Sequence, residues 1–311
     1  MMTRYDMIKV AHLYYNLGCS QQEIAEKMHT SRARVSRLLK SAVEEGVVRI
    51  HVDGYKDSCV ELETLLEQKF SLKAARVVEQ ARSDGGSAQI LQFLDGFVED
   101  GTTVGVTFGA SLARLAASDR LRPRERVRVV QLTGGLNHSE LIYTPDEVAG
   151  RFARMFGGTA CNLYLPAIVS NPLLKDLIRQ EESHRKIFEL YGKIDVAFLA
   201  VGTMLPVDIL LRDGYVSREH FDALIGKKAV GNVCLRYFDE KGALVDPELE
   251  ERLTGVSVEE LLRVPLRIGV AYGKYKAEAI RAALRGGYLN ALATDVQTAL
   301  LLLEEGEPAG H

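Results

Sequence analysis

The chain has 311 residues, with 39 Lys and Arg against 42 Asp and Glu, 47% apolar and 26% charged side chains, four Cys and no Trp. This is ordinary globular usage and enough chain for two cores, which excludes collagen-like and disordered proteins. No run nears the roughly 18 apolar residues of a membrane span, and residues 1–6 lack an apolar signal core, so a cytoplasmic protein with no membrane partner is expected. Cys19, Cys59, Cys161 and Cys234 form no C-x-x-C pair, which points to reduced thiols rather than a metal site or a disulfide framework.

Charge is spread unevenly. Residues 1–53 hold eight basic against six acidic side chains, and residues 31–40 hold four basic and no acidic ones. A basic stripe on an acidic chain marks a region that meets an anion. The segment reads as three short helices. The first covers residues 5–16, with Ile8, Ala11, His12 and Tyr15 near one face, and stops at Leu17 and Gly18. Ser20 and Glu23 form a capping box for a second helix that runs to about Met28. His29 and Thr30 make a tight turn, Thr30 can cap a third helix over residues 31–45, and Gly46 stops it.

On that third helix Val35 centres a buried face with Ser31, Leu38, Leu39 and Ala42. The opposite face shows Ala33, Ser36, Arg37, Lys40 and Glu44, with Arg32 and Arg34 on its flanks. Small residues between arginines suit a major groove, because Ala and Ser admit close approach while Arg pairs with guanine edges. The alternative is a solvated amphipathic helix; the order of capping box, turn, basic helix and strand favours a helix-turn-helix. Candidate contacts to double-stranded DNA are Gln21 and Gln22 on phosphates, and Ser31, Arg32, Arg34, Ser36, Arg37 and Lys40 from the third helix.

Residues 47–52 alternate like a strand and predict a wing or edge strand. Residues 56–70 predict a connecting helix with Val60, Leu62, Leu65, Leu66 and Phe70 as its apolar positions. The expected division is a DNA-binding domain over 1–54, a linker helix over 55–70 and a second domain over 71–311.

In the second domain short apolar runs alternate with amphipathic stretches. Strands are predicted at 75–78, 103–107, 127–132, 162–165, 196–201, 266–271 and 289–294, and helices at 87–100, 110–119, 172–190, 276–285 and 296–304. The pattern means a largely parallel, Rossmann-like α/β sheet covered on both faces, behind a small all-α winged helix-turn-helix domain. Three glycine-bearing turns follow strands: residues 105–112, residues 133–135 and residues 269–277. Glycine lets backbone N–H groups close on an anion, and strand ends are where open α/β sheets hold ligands, so phosphate is the natural guest. Each such turn is also explained as a turn alone. None fits a P-loop, and no dinucleotide fingerprint follows the first strand, so no cofactor is expected. Lys276 opens a helix, where a cation is mismatched with the positive helix end and a bound phosphate would relieve it; a surface lysine is the other reading.

The chain resembles the SorC-type sugar-binding transcriptional regulators of bacteria over residues 5–303. The resemblance rests on Ser-Gln-Gln-Glu-Ile-Ala from Ser20, Ser-Arg-Ala-Arg-Val-Ser-Arg-Leu-Leu from Ser31, Gly-Val-Thr-Phe-Gly-Ala-Ser-Leu from Gly105, and Leu-Pro-Ala-Ile-Val-Ser from Leu165. It continues in Ala-Val-Gly-Asn-Val-Cys from Ala229, Tyr237-Phe-Asp, Lys276-Ala-Glu-Ala-Ile and the stretch from Leu284 to Asp295. The resemblance implies a phosphosugar isomerase- or CoA transferase-like effector domain, a homotetramer with a dimer as the alternative, and a phosphorylated sugar or polyol as effector. By motif, Thr107, Phe108, Gly109, Ala110, Ser111, Thr133, Gly134, Gly135 and Lys276 would hold phosphate or hydroxyls, and Asn232 would read sugar hydroxyls. The family usually carries an acid at the place of Asn232. Thr133 stands where a lysine could form an imine with an aldose, so reversible binding is expected, and Tyr272 fills a slot usually held by Gly and would narrow the pocket.

Together the residues and the resemblance predict a DNA-binding transcriptional regulator whose operator binding is controlled by a phosphorylated sugar or polyol. A sugar-phosphate isomerase or deaminase fused to a helix-turn-helix domain is the alternative, since fold alone does not decide. Such an enzyme needs a carboxylate base, and position 232 is an amide. His138, His184 and His220 form no motif, and no catalytic residue or metal ligand is expected. A scaffold with an empty pocket that answers to a protein partner is a third reading.

Overall fold

The computed structural model describes residues 3–49, 59–117, 121–136, 143–204, 211 and 216–304. The chain divides into two compact units, residues 1–57 and 58–311.

The first unit is built from capped short helices. α1 (Arg4–Ala11) starts at a capping box between Thr3 and Asp6 and continues as a π-helical turn over His12–Asn16. α2 (Gln21–Lys27) has the predicted box: Ser20 Oγ accepts from Glu23 N at 3.3 Å, and Ser20 N donates to Glu23 Oε2 at 2.7 Å. α3 (Arg32–Glu44) ends before Gly46, whose φ of 70° suits glycine. Met7, Val10, Ala11, Ile24, Ala25, Val35, Leu38, Leu39 and Ala42 make its core.

The first unit departs from the expected pattern in two places. The buried stripe of α1 is Met7, Val10 and Ala11, spaced to meet α3, whereas Ile8 is 49% and Tyr15 45% exposed. Residues 47–49 form no strand, because the chain turns after Glu45 and Val48 N returns to Ala42 O. The remainder of the predicted wing, residues 50–52, lies outside the described residues.

The second unit holds a seven-stranded parallel sheet. Its strands are β1 (Ala74–Val78), β2 (Thr103–Val106), β3 (Arg128–Gln131), β4 (Thr159–Cys161), β5 (Val196–Leu199), β9 (Leu266–Val270) and β10 (Ala291–Asp295). Their spatial order is β1-β10-β9-β5-β2-β3-β4, every pair parallel. Alternation along each strand feeds two cores, as period-two side-chain geometry requires. On β5, Val196 and Phe198 join a cluster with α5 (Asp84–Asp95), α6 (Ala110–Leu115) and α7 (Pro145–Phe156), while Ala197 and Leu199 face the opposite cluster. That second cluster takes side chains from α4 (Val60–Phe70), α9 (Glu182–Tyr191), α13 (Ala277–Arg285) and α14 (Val296–Leu303).

α4 is therefore part of this unit rather than a free linker. Leu66 is fully buried, and Glu63 and Glu67 accept the N–H groups of Val77 and Ala75 at 2.9 and 2.8 Å. The strand predicted at residues 162–165 lies earlier, at β4, because Gly157 ends α7 and the chain enters the sheet at once. The single helix predicted over residues 172–190 is two, α8 (Pro172–Gln180) and α9, separated by extended backbone at Glu181.

The amphipathic-run reading missed α7 and the excursion between β5 and β9. That excursion holds β6 (Gly202–Thr203), β7 (Gly231–Val233) and β8 (Arg236–Phe238) in a small antiparallel sheet, with α10 (Arg218–Gly226), α11 (Pro247–Arg252) and α12 (Val258–Arg263).

Candidate nucleic-acid interface and candidate effector site

α3 begins at Ser31, which takes extended backbone and accepts from Arg34 N at 3.3 Å. Thr30, expected as the cap, is not used; Ser31, expected on the buried face, is exposed, because a capping residue lies outside the helical register. Val35, Leu38, Leu39 and Ala42 are buried, which turns Arg32, Arg34, Ser36, Arg37 and Lys40 to the exposed side. Arg37 Nε donates to Ala33 O at 3.3 Å, laying the side chain back along the helix. Lys40 lies 3.7 Å from Glu44, an exposed pair that water and salt weaken. On α2, Gln22 is exposed and donates to Glu26 at 3.1 Å, while Gln21 is half-buried at the first helical position.

In the second unit the ends of three neighbouring strands converge on the turn after β5. Thr107, immediately after β2, is buried; its N–H donates to Phe198 O at 3.1 Å and its hydroxyl accepts from Ala200 N at 2.8 Å. From beyond β9, Lys276 Nζ donates to Val201 O at 2.7 Å. β6 follows, with Gly202 opposite Asn232 on β7. A Cβ at Gly202 would lie 2.5 Å from Asn232 Nδ2, so glycine is what lets that amide lie over the strand. Thr107, Asn232 and Lys276 are thereby gathered around residues 200–203, a segment the sequence reading did not single out. Its signal was present as a fourth glycine just after an apolar strand.

Lys276 occupies the N-cap of α13, following a tight turn over Lys274–Lys276. Burial pushes its ammonium down to about 8, and the charge of Arg82, after β1, acts in the same direction. A half-buried cation that is held by a carbonyl, beside a second cation and at a helix start, favours an incoming anion.

The remaining predicted residues divide into two groups. Phe108 and Gly109 are half-buried, Ala110 is exposed at the start of α6, and Ser111 is buried in its first turn. The 133–135 turn is not an open cradle. Gly135 N donates to Leu165 O at 2.7 Å, and a Cβ at Gly134 would lie 2.6 Å from Pro166 O. Gly134 thus permits two backbones to pack, and the anion role expected of Gly135 N–H is taken by protein. Thr133 is buried, and its hydroxyl has no hydrogen-bond partner among the described residues. Tyr272, expected to narrow the pocket, is buried among the apolar side chains on the α5–α7 side of the sheet.

His184 is half-buried beside the exposed Ser183, and His138 lies outside the described residues. His220 Nε2 lies 2.6 Å from Asp246 Oδ2, the carboxylate that caps α11 by accepting from Leu249 N. These are structural contacts.

Residues 56–304 match the family described as "Putative sugar-binding domain", and residues 10–55 match the MarR family. The chain is 34% identical to the deoxyribonucleoside regulator of Bacillus subtilis, covering 96% of this chain and 97% of that protein. It is 29% identical to the sorbitol operon regulator of Klebsiella pneumoniae, covering 96% and 97%. The crystal structure of that full-length regulator, SorC, superposes with a TM-score of 0.74 at 28% identity, covering 96% of this chain and 98% of that one.

Proposed function

The chain belongs to the SorC/DeoR-type sugar-binding transcriptional regulators, and from that premise we propose a repressor whose grip on operator DNA is set by a phosphorylated sugar or polyol. It is a DNA-binding regulator under sugar control and not an enzyme, as its relatives are regulators. The gathering of Thr107, Asn232 and the half-buried cation Lys276 around residues 200–203 carries the phosphosugar assignment.

In this reading the loop Thr107–Ser111 and Lys276 receive the phosphate, where backbone N–H groups and a cation meet a dianion. Asn232 and Thr133 read hydroxyls; an amide both donates and accepts, so it recognises a different hydroxyl pattern from a carboxylate. Gly134 and Gly135 fix the wall beside them. Gln21, Gln22, Ser31, Arg32, Arg34, Ser36, Arg37 and Lys40 meet the operator, phosphates fixing position and α3 reading base edges. A homotetramer pairs such helices on two half-sites, and an effector that binds two states unequally changes their spacing.

A thermal-shift screen of phosphorylated pentoses, hexoses and hexitols tests the assignment, since ligand at about 100 times its Kd adds roughly 2.7 kcal/mol. A stabilising compound must also shift operator binding in a gel. Stabilisation by unphosphorylated sugars alone rejects the phosphate assignment.

A further inference from the structure

We infer that Arg236 is a positioning residue that locks Asn232 and Thr133 in register with each other; this rests on the effector site proposed above. Arg236 is 1% exposed, and the other largest fully buried side chains are apolar or aromatic. Its guanidinium reaches three separate pieces of chain. Nη1 donates to Cys234 O at 2.8 Å, Nη2 donates to Val256 O at 2.5 Å and Glu250 Oε1 at 3.2 Å, and Nε pairs with Glu250 Oε2 at 2.7 Å.

The first of those pieces is the turn that carries Asn232. β7 and β8 are joined by Cys234 and Leu235 alone, both with positive φ (53° and 66°) and both buried. Such a two-residue turn asks for Asn or Gly, and side chains with a Cβ hold it only where surrounding contacts over-determine it. The bond from Arg236 to Cys234 O supplies such a contact. Asn232 sits two residues before this turn.

The other two pieces lead to Thr133. Val256 N donates to Leu132 O at 3.0 Å, Thr133 bridges to Gly255, and Thr254 Oγ1 donates to Pro166 O at 2.6 Å beside Gly134. The 250–256 segment is also held from α8, by Lys175 Nζ on Glu250 O at 2.8 Å and Arg179 on Gly255 O at 3.0 Å. It forms a fixed post. Arg236 ties the strained β7–β8 turn to that post, which fixes Asn232 relative to the Thr133 turn. Lys276 stands outside this tie, with its own bond to Val201 O. The hydroxyl-reading half of the site therefore depends on Arg236, and the anion-receiving half does not.

The test uses the full chain and the variants Arg236→Met, which keeps length and packing, and Glu250→Gln, which keeps shape and removes the charge. Binding of ribose 5-phosphate, glucitol 6-phosphate and inorganic phosphate is measured by calorimetry, and amide hydrogen exchange is measured without ligand. The expected result is a loss of about tenfold in affinity for whichever phosphosugar the wild type binds, with the Kd of inorganic phosphate unchanged. Exchange at Asn232 and Val256 rises in both variants, while α5 and α7 keep wild-type protection. Equal weakening of phosphosugar and phosphate, or wild-type exchange at Asn232 and Val256, overturns the assignment. If wild type binds none of the three probes, the effector reading fails, and the exchange data still decide the positioning role. Should Arg236→Met not fold, Glu250→Gln alone decides by the same two readings.

Discussion

The ammonium of Lys276 is hydrogen-bonded to the carbonyl of Val201 at 2.7 Å, across the ends of two neighbouring parallel strands. A cation there lies over the sheet's carboxyl edge, half-buried and beside the charge of Arg82, which holds it down near 8 against an ordinary 10.5.

A pH dependence follows. The unfolded chain keeps this proton up to about 10.5, whereas the folded chain releases it near 8. Between those values the unfolded state binds more protons, so unliganded stability from this group rises with pH across the window, by roughly 3 kcal/mol in total. Thermal melts from about pH 7 to 10 should show this component in the wild type and lose it in Lys276→Met.

Phosphate binding carries the opposite sign. A phosphate monoester is a dianion above about pH 6 and is attracted to the charged ammonium, so affinity falls by up to about tenfold per pH unit once pH exceeds 8. Lys276→Ala is expected to abolish the inducer response in a gel-shift titration while leaving unliganded operator affinity in place. A retained response in that variant removes phosphate from the account.

On α3 the exposed arginines are expected to split by role. Arg37→Ala should relax base preference at one operator position by roughly 1–3 kcal/mol, whereas loss of a phosphate contact weakens all sequences alike and lowers the salt slope by about one. Competition gel shifts at several salt concentrations separate the two.

The cap and core of the first unit give stability tests. Ser31→Ala removes the acceptor for Arg34 N and should cost about 1 kcal/mol. Leu38→Ala, at a side chain 1% exposed, should cost about 2–5 kcal/mol. Denaturant melts of both variants should show the loss in the transition of residues 1–57.

Gly134→Ala distinguishes packing from anion binding. Its new methyl meets Pro166 O and Ala167 Cα, each 2.6 Å from the Cβ position, and strain of this kind costs roughly 1–3 kcal/mol. The expected outcome is a lower melting temperature with inorganic phosphate affinity unchanged, read by calorimetry.

The local signals that survive into the structure are those whose partners lie within a few residues. The Ser20–Glu23 box, the stop at Gly46 and the buried stripe Val35, Leu38, Leu39 and Ala42 are of this kind. The sheet strands were legible because a strand buried on both faces reads as an apolar run. The first helix misled because it carries two apolar stripes, one of Met7, Val10 and Ala11 and one of Ile8 and Tyr15, and only contact with α3 selects between them. The break at Glu181 has no glycine or proline to announce it. It lets α8 reach Glu250 and Gly255 through Lys175 and Arg179 while Tyr191 of α9 bonds Gln131 O beside the sheet.

Sequence alone determined the capped basic helix, the alternating α/β order and the residue types that can meet an anion, because caps, periodicity and side-chain chemistry act over one or two turns. Tertiary structure decided which of those residues stand together. Lys276, Thr107 and Asn232 are scattered along the chain; parallel pairing sets the ends of β2 and β9 on either side of β5, and the antiparallel pair β6–β7 brings Asn232 to Gly202 just beyond it. Tertiary contact likewise spent the N–H of Gly135 on Leu165 and set Arg236 between Cys234, Glu250 and Val256, contacts whose partners no local pattern can specify.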